Sequence, residues 1–431
     1  MMGSMDHNAV GVVPLARPGR KRKSVDVLAD TAAVLVGIFV FFNPFPHTTA
    51  IKEISFYSSL CTILILALFM KRDFVLKTPF TLPFLLFLIW AIIGIFFTLD
   101  PSNTIHDIYT HYVKYLFLFY ILFNFYQSEK RFLFLVWILI ISVSLFSIGG
   151  MLYFYGIQNH TLSCRFGFIE MSINYLCLPT ISALLLSLHL YRYQAHWLPK
   201  AILVLAAVST LAATLLTQTR GALIAVIISA VLLFIDRKKI IVSLIVGIVV
   251  IITIIPNYTE RLSPMRTFVN ERIAMNRLTY EIIKDYPIAG IGFGMMIYAN
   301  PEFLNSYDAR QPEKYKSKQY GSDIPVPSPH NVFLDVTVRT GVVGLALYVF
   351  ILVTFVRIVW QLTRREQSQF AKDWGRCLLA MFCAIITQAL FVDITFGPQA
   401  VVFFTTFAML SILWQMHKNQ KAHLSASKPA T

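Results

Sequence analysis

Stretches of about 20 apolar residues recur from one end of this chain to the other, and a stretch of that length and kind is long enough to cross a bilayer as a helix. The stretches are apolar all round. Strands of an outer-membrane barrel alternate apolar and polar residues, so a barrel is excluded. Hydrophobic residues make up 57% of the chain and charged residues 14%. Mean hydropathy is +0.66. A soluble domain is nearer half apolar and a quarter charged, and a chain this poor in charge cannot cover a globular surface. An ordinary soluble enzyme and a disordered chain are both excluded. The expected fold class is all-α, a polytopic integral membrane protein.

Hydropathy predicts about twelve spans, at residues 28–45, 53–70, 80–98, 109–126, 132–155, 173–191, 198–217, 221–236, 240–256, 338–358, 376–392 and 399–416. The 37 Lys and Arg outnumber the 22 Asp and Glu, giving a net charge of +15. In a soluble protein that excess would suggest nucleic acid. Here it falls where cytoplasmic loops collect cations, so no nucleic-acid partner is expected. Lys71, Arg72 and Lys77, then Lys130 and Arg131, then Arg237, Lys238 and Lys239, then Arg357, Arg364, Arg365, Lys372 and Arg376 all fall on one side, with the basic N-terminal tail. Both termini are then inside. The expected organisation is a basic tail 1–27, spans one to nine in 28–256, an outer loop 257–337, spans ten to twelve in 338–417 and a tail 418–431. The first residues are polar and run into Arg20, Lys21, Arg22 and Lys23, so no cleavable signal peptide is expected.

The outer loop breaks the charge pattern. It holds Arg261, Arg266, Arg272, Arg277, Lys284, Arg310, Lys314, Lys316 and Lys318. Long loops cross regardless of charge. The 310–318 cations are read either as solvated charges or as part of an outward-facing anion site. Residues 266–286 predict one amphipathic helix, because Val269, Ile273, Leu278, Ile282 and Tyr286 fall near helical spacing. Arg277 and Glu281 are placed to pair four residues apart. Pro287 stops the helix, and Gly290, Gly292 and Gly294 follow as a flexible turn. With no strand before them they are not a dinucleotide fingerprint.

Four further positions carry chemistry. Arg220 follows Thr217-Gln218-Thr219 between two apolar helices at the outer boundary. A cation there either snorkels to the interface or meets an anion, and the polar run beside it favours a site. His330 follows prolines 325, 327 and 329, which forbid helix, and precedes Asn331, a good N-cap. It is either an ordinary loop histidine or, because imidazole titrates near neutral pH, a general base toward a hydroxyl. Arg165 sits in an outer loop ahead of Asn174, and Lys114 near the outer end of the fourth span, where it either snorkels or serves a site. Cys61, Cys164, Cys177, Cys377 and Cys383 show neither zinc spacing nor a disulfide framework. Carboxylates Asp100, Asp107, Glu170 and Asp393 are scattered, so no metal and no cofactor are expected. Arginines can hold a diphosphate bidentately and stabilise charge growing on it, which is a metal's role in other enzymes.

Taken in order, Thr217–Gly221, Asn276-Arg277-Leu278 through Pro287–Gly294, and Ser328-Pro329-His330-Asn331 running into Thr340-Gly341 resemble the O-antigen ligase family. Its wider relatives include O-antigen polymerases and protein O-oligosaccharyltransferases. The resemblance is strongest over roughly residues 200–360, and elsewhere rests on topology. It implies a GT-C-like glycosyltransferase of the bacterial inner membrane with one large periplasmic loop bearing amphipathic helices. Such an enzyme transfers a finished glycan from undecaprenyl diphosphate to the lipid A–core oligosaccharide among membrane lipids, without metal or nucleotide. By the same resemblance His330 matches the family's loop histidine, Arg220 and Arg277 its arginines, and Arg165 and Asn174 an arginine and asparagine before the sixth span; the expected reading makes His330 the base and Arg220, Arg277, Arg272, Arg165 and Lys114 the diphosphate ligands. Tyr280 stands where the family usually has Trp after its loop arginine, and Arg272 is placed as well as Arg277 for that role. A polymerase would carry two motif-rich outer loops rather than one. A transporter would favour midplane charges and inverted repeats, which are not evident here.

Overall fold

The computed structural model describes residues 20–167, 173–239, 242, 245–249, 266–298, 300–316, 329–364, 368–392 and 397–426. Every regular element among them is helical. The first half holds α1 (Arg20–Phe42), α2 (Thr49–Leu68), α3 (Thr81–Ile93), α4 (Pro101–Asp107), α5 (Lys114–Phe125), α6 (Glu129–Met151), α7 (Ile173–Tyr191), α8 (Trp197–Leu216) and α9 (Arg220–Leu233). The second half holds α10 (Arg266–Asp285), the single turn α11 (Met295–Tyr298), α12 (Pro301–Asp308), α13 (Val332–Leu362), α14 (Gln369–Ala389) and α15 (Gly397–Ala426).

Six segments are long and apolar enough to cross a membrane: Val25–Phe42, Thr49–Leu68, Glu129–Ile157, Trp197–Leu216, Val332–Leu362 and Pro398–Gln420. Thr81–Phe96, Tyr175–Tyr191 and Arg220–Leu233 are shorter apolar helices. The chain is a helical membrane protein. The ninth expected span, 240–256, lies mostly outside the described residues. Two expected edges move for identifiable reasons. The tenth span begins six residues before 338, at Val332, because the Asn331 side chain accepts from the backbone N–H of Phe333 and Leu334 at 2.9 and 3.2 Å. The fourth is the far end of a longer path that starts at Pro101, capped by Asp100 accepting from Asn103 N–H at 3.0 Å, and passes through a widened turn at Ile108–Val113.

In lipid there is no water to expel between helices, so close packing and polar bonds must hold them together. The helices meet through interlocked rings. Phe355 of α13 stacks on Phe382 of α14 at 4.3 Å, and Phe407 of α15 meets Phe80 at 4.9 Å and Phe355 at 4.8 Å. Each such pair contributes about 0.5–1.5 kcal/mol beyond the area it buries. Polar bonds add register: Thr214 of α8 donates to Thr180 of α7 at 2.8 Å, one residue past Pro179, which stands inside the helix.

The predicted amphipathic helix is α10, ending at Asp285 as Pro287 requires. Its apolar face packs on the first half of α13. Leu278, Ile282, Ile291, Ile297, Leu304, Tyr307 and Val338 form a second, small core that seats α10, α11 and α12 on that helix. The expected pairing of Arg277 with Glu281 is replaced. Glu281 takes Lys284 at 2.8 Å, and Arg277 lies over the Tyr315 ring at 4.4 Å.

Candidate functional site

α8 and α9 are joined by a turn too short to reverse without a left-handed residue, and Gln218 supplies it with φ 51°. The turn is buried at Thr217 and Gln218, with Arg220 exposed as the first residue of α9. The 162–166 segment docks against it. Phe166 N–H donates to Leu216 O at 2.8 Å, and Gln218 Nε2 donates to Leu162 O and Ser163 O at 3.4 and 3.3 Å. Arg165 completes the lock: Nε donates to Thr217 O at 3.0 Å and Nη2 to Thr219 Oγ1 at 3.2 Å. Arg165 and Arg220 therefore flank one helix N-terminus, where the helix dipole also favours an anion.

Phe391, just past α14, ties a third arginine to this turn. Its ring covers Gly221 so closely that a Cβ there would lie 2.7 Å from Cδ2. The Arg272 guanidinium sits 5.7 Å from the centre of the same ring. The two loop arginines that sequence reasoning could not separate are thus distinguished. Arg272 shares the Phe391 ring with Gly221, next to Arg220, whereas Arg277 is on Tyr315, further along α10.

Lys114 keeps different company. It is bonded to Glu53 of α2 at 2.5 Å and sits 5.8 and 5.5 Å from the rings of Phe39 and Phe56, among α1, α2 and α5. A diphosphate would have to displace Glu53 to use it. The 310–318 cations are largely spoken for: Arg310 pairs with Asp285 at 2.7 Å, Lys316 with Glu313 at 2.6 Å, and Lys314 lies over Tyr315 at 4.8 Å. Lys318 and the Asn174 side chain lie outside the described residues. Hydrogen bonds from Arg310 and then Tyr307 hold the Asp285 carboxyl below the usual range, and burial pushes the Tyr307 phenol up.

His330 has φ 46° and is half-buried, directly before the capping Asn331 of α13. The helix it introduces is broken at Gly341, whose φ of 69° and ψ of −176° no other residue adopts readily. The break lets residues 287–292 lie against it as if against a strand. Ile291 N–H donates to Val338 O at 2.9 Å, Gly292 N–H to Arg339 O at 3.1 Å, and Val342 N–H to Pro287 O at 2.8 Å. The glycine run is therefore not the flexible turn expected from sequence. Its far side is also fixed, by Met295 N–H to Asp107 Oδ2 at 2.7 Å and Met296 N–H to Asn103 Oδ1 at 3.0 Å.

Sequence reasoning passed over several residues in this junction. Arg339 is 3% exposed, pairs with Asp335 at 3.2 Å and donates to Phe293 O through Nε at 2.9 Å. Trp90 Nε1 donates to Thr340 O at 2.8 Å. Asp107 is buried and accepts from His106 Nδ1 at 3.0 Å as well as from Met295. The available signal was an Asp and an Arg four apart inside an apolar run, since an ionisable residue at membrane depth is a functional candidate by default.

With this geometry in view, residues 205–349 match the family model described as O-antigen ligase. Over these residues the chain is similar to the O-antigen ligase family. No curated protein matches the chain. The family match takes in most of α8, the α8–α9 turn, α10, the glycine run, His330 and α13 as far as Val349. It encloses Arg220, Arg272, Arg277 and His330, and leaves out Arg165 and Lys114, which reach the family segment or its surroundings only through the fold.

Proposed function

We propose that this chain is an O-antigen ligase, an inverting and metal-independent glycosyltransferase that moves O-antigen glycan from undecaprenyl diphosphate to the lipid A–core oligosaccharide. One observation carries the reading. The family segment brings Gly221, the chain neighbour of Arg220, and Arg272 to a single ring, Phe391, and adds His330 at the head of the helix on which α10 is seated. In this proposal the twelve spans lie in the bacterial inner membrane. Residues 257–337 face the periplasm between 28–256 and 338–417, and the 1–27 and 418–431 tails lie in the cytoplasm.

The donor's polyprenyl tail lies in the bilayer, and its diphosphate meets Arg220, Arg272 and Arg277. Arg165 fixes the turn that presents Arg220, and Lys114 joins only by leaving Glu53. The acceptor hydroxyl gives its proton to the His330 imidazole as its oxygen attacks the anomeric carbon. The bond from that carbon to the phosphate oxygen breaks, and both electrons leave with undecaprenyl diphosphate. A single displacement inverts the anomeric centre. The guanidinium groups stabilise the charge gathering on the leaving diphosphate, and removing one donor of that kind costs roughly 100–1,000-fold in kcat.

The test is a reconstituted transfer assay with undecaprenyl-diphosphate glycan, lipid A–core and EDTA. A glycan ladder on lipid A–core, lost in Arg220→Ala and in His330→Ala at normal expression, is the expected result. Donor chains that only grow longer would make the chain an O-antigen polymerase. Transfer only to added protein would make it a protein O-oligosaccharyltransferase. No turnover by folded protein with any acceptor would return the reading to transport of anionic lipid or glycan.

A further inference from the structure

Three cations converge at the end of the bundle away from the glycine run. α3 runs from Thr81 toward Leu99, which donates to Ile291 O at 3.0 Å, so Lys77 lies beyond its far end. α13 runs from the Gly341 break toward Leu362, which places Arg357 near its far end, and Lys418 lies in the late turns of α15. All three are exposed and line one groove of about 500 Å³. No Asp or Glu lines it, and none of the three cations is ion-paired among the described residues. Two cations at the basic loops are matched: Arg131 pairs with Asp30, and Arg376 with Asp236 at 3.1 Å.

The rest of the groove is apolar. Leu82 and Phe350 line it at 60% and 41% exposure, and Trp414 lies beneath Lys418, 5.4 Å from Nζ to ring centre. Like charges held together without an acid repel one another and attract an anion. A Trp beside cations marks the depth of lipid headgroups. A soluble phosphate would satisfy the cations and leave Leu82 and Phe350 uncovered. A zwitterionic lipid would cover the apolar wall and leave the charge unmatched. We propose that this groove binds an anionic glycerophospholipid, its phosphate among Lys77, Arg357 and Lys418 and an acyl chain along Leu82 and Phe350. Basic pockets between helices at a membrane's cytoplasmic side bind such headgroups, and each cation near an anionic lipid contributes about fivefold to binding.

The purified full-length chain is titrated with dioleoyl phosphatidylglycerol or dioleoyl phosphatidylcholine and the retained lipid is counted by native mass spectrometry. Phosphatidylglycerol is expected to be retained preferentially. The K77Q/R357Q/K418Q variant loses at least about tenfold of that preference, whereas K71Q/K130Q/K238Q, which removes the same charge elsewhere, keeps it. The positions are exposed, and unchanged elution of each variant establishes that it is folded. Equal retention of the two lipids, an unchanged preference in the groove variant, or equal loss in both variants overturns the proposal. Displacement of the lipid by millimolar glycerol 3-phosphate also overturns it, since the site would then be one for the headgroup alone.

Discussion

Two glycine contacts at the candidate site differ in what stands opposite. At Gly221 the neighbour is the Phe391 ring, a side chain. At Gly341 the neighbour is backbone: a Cβ would lie 1.8 Å from Ile288 O, and the ladder from residues 287–292 runs alongside. A ring can rotate, whereas a paired backbone can move only by giving up hydrogen bonds that have no replacement at membrane depth. The Gly221 contact can therefore yield, although the turn beside it is held by the 162–166 segment, whereas the His330-bearing helix is fixed to its loop. In the proposed reaction, the side that can yield is the one that admits and releases the diphosphate.

The largest expected effect is at the fixed side. Gly341→Ala both clashes with Ile288 and forces a conformation close to glycine-only, so it should cost about 3 kcal/mol or more. The drop in the thermal unfolding midpoint of the detergent-solubilised protein checks this, and a near-wild-type midpoint would end the contrast. Arg339→Met comes next. It leaves Asp335 buried without its cation and Phe293 O without its donor, and should cost about 3–5 kcal/mol. The double variant with Asp335→Leu should recover much of that loss, measured in the same way. Gly221→Ala should cost less, about 1–3 kcal/mol as an overpacked site, because Phe391 can swing aside. Phe391→Ala combined with Gly221→Ala should bring the midpoint back up, which no second substitution opposite Gly341 could do.

The smallest effect concerns the rim of the loop. Asp285 has a folded pKa below its unfolded one because Arg310 and Tyr307 bond its carboxylate. Its contribution is complete above the ordinary carboxylate pKa and is lost as pH falls through the depressed folded value. Protection of α12 amides, taken relative to their intrinsic exchange rate at each pH, should therefore fall at acid pH in the native protein, and Asp285→Asn should show the lower protection already at neutral pH.

Six long apolar helices were legible in the sequence because lipid demands residues that are apolar all round, and α10 because one face of it is not. Asn331 was legible as a cap because the residues around it allow little else. Contacts between distant segments were not legible. Phe391 reaches Gly221, Glu53 reaches Lys114 and Asp107 reaches Met295 across sequence gaps that no periodicity encodes. Arg339 and Asp335 were hidden for another reason. A salt bridge four residues apart has the same spacing whether it is buried or solvated, and only the loop donating against it separates the two. Glu281 shows the limit of spacing from the other direction: with Arg277 and Lys284 both in reach, it takes the nearer lysine while Arg277 goes to Tyr315.

The broken helix also bears on how the protein is made. Pro287 and Ile291 find partners on α13, a helix translated after them. A chain emerging from its N-terminus can place α10 at the membrane surface early, but the glycine run has nowhere to finish its hydrogen bonds until α13 has entered the bilayer. Assembly of the layer formed by α10, the glycine run and α13 is thereby tied to a late insertion event, so a chain stalled before α13 would carry the arginines of the loop without the backbone that sets their height.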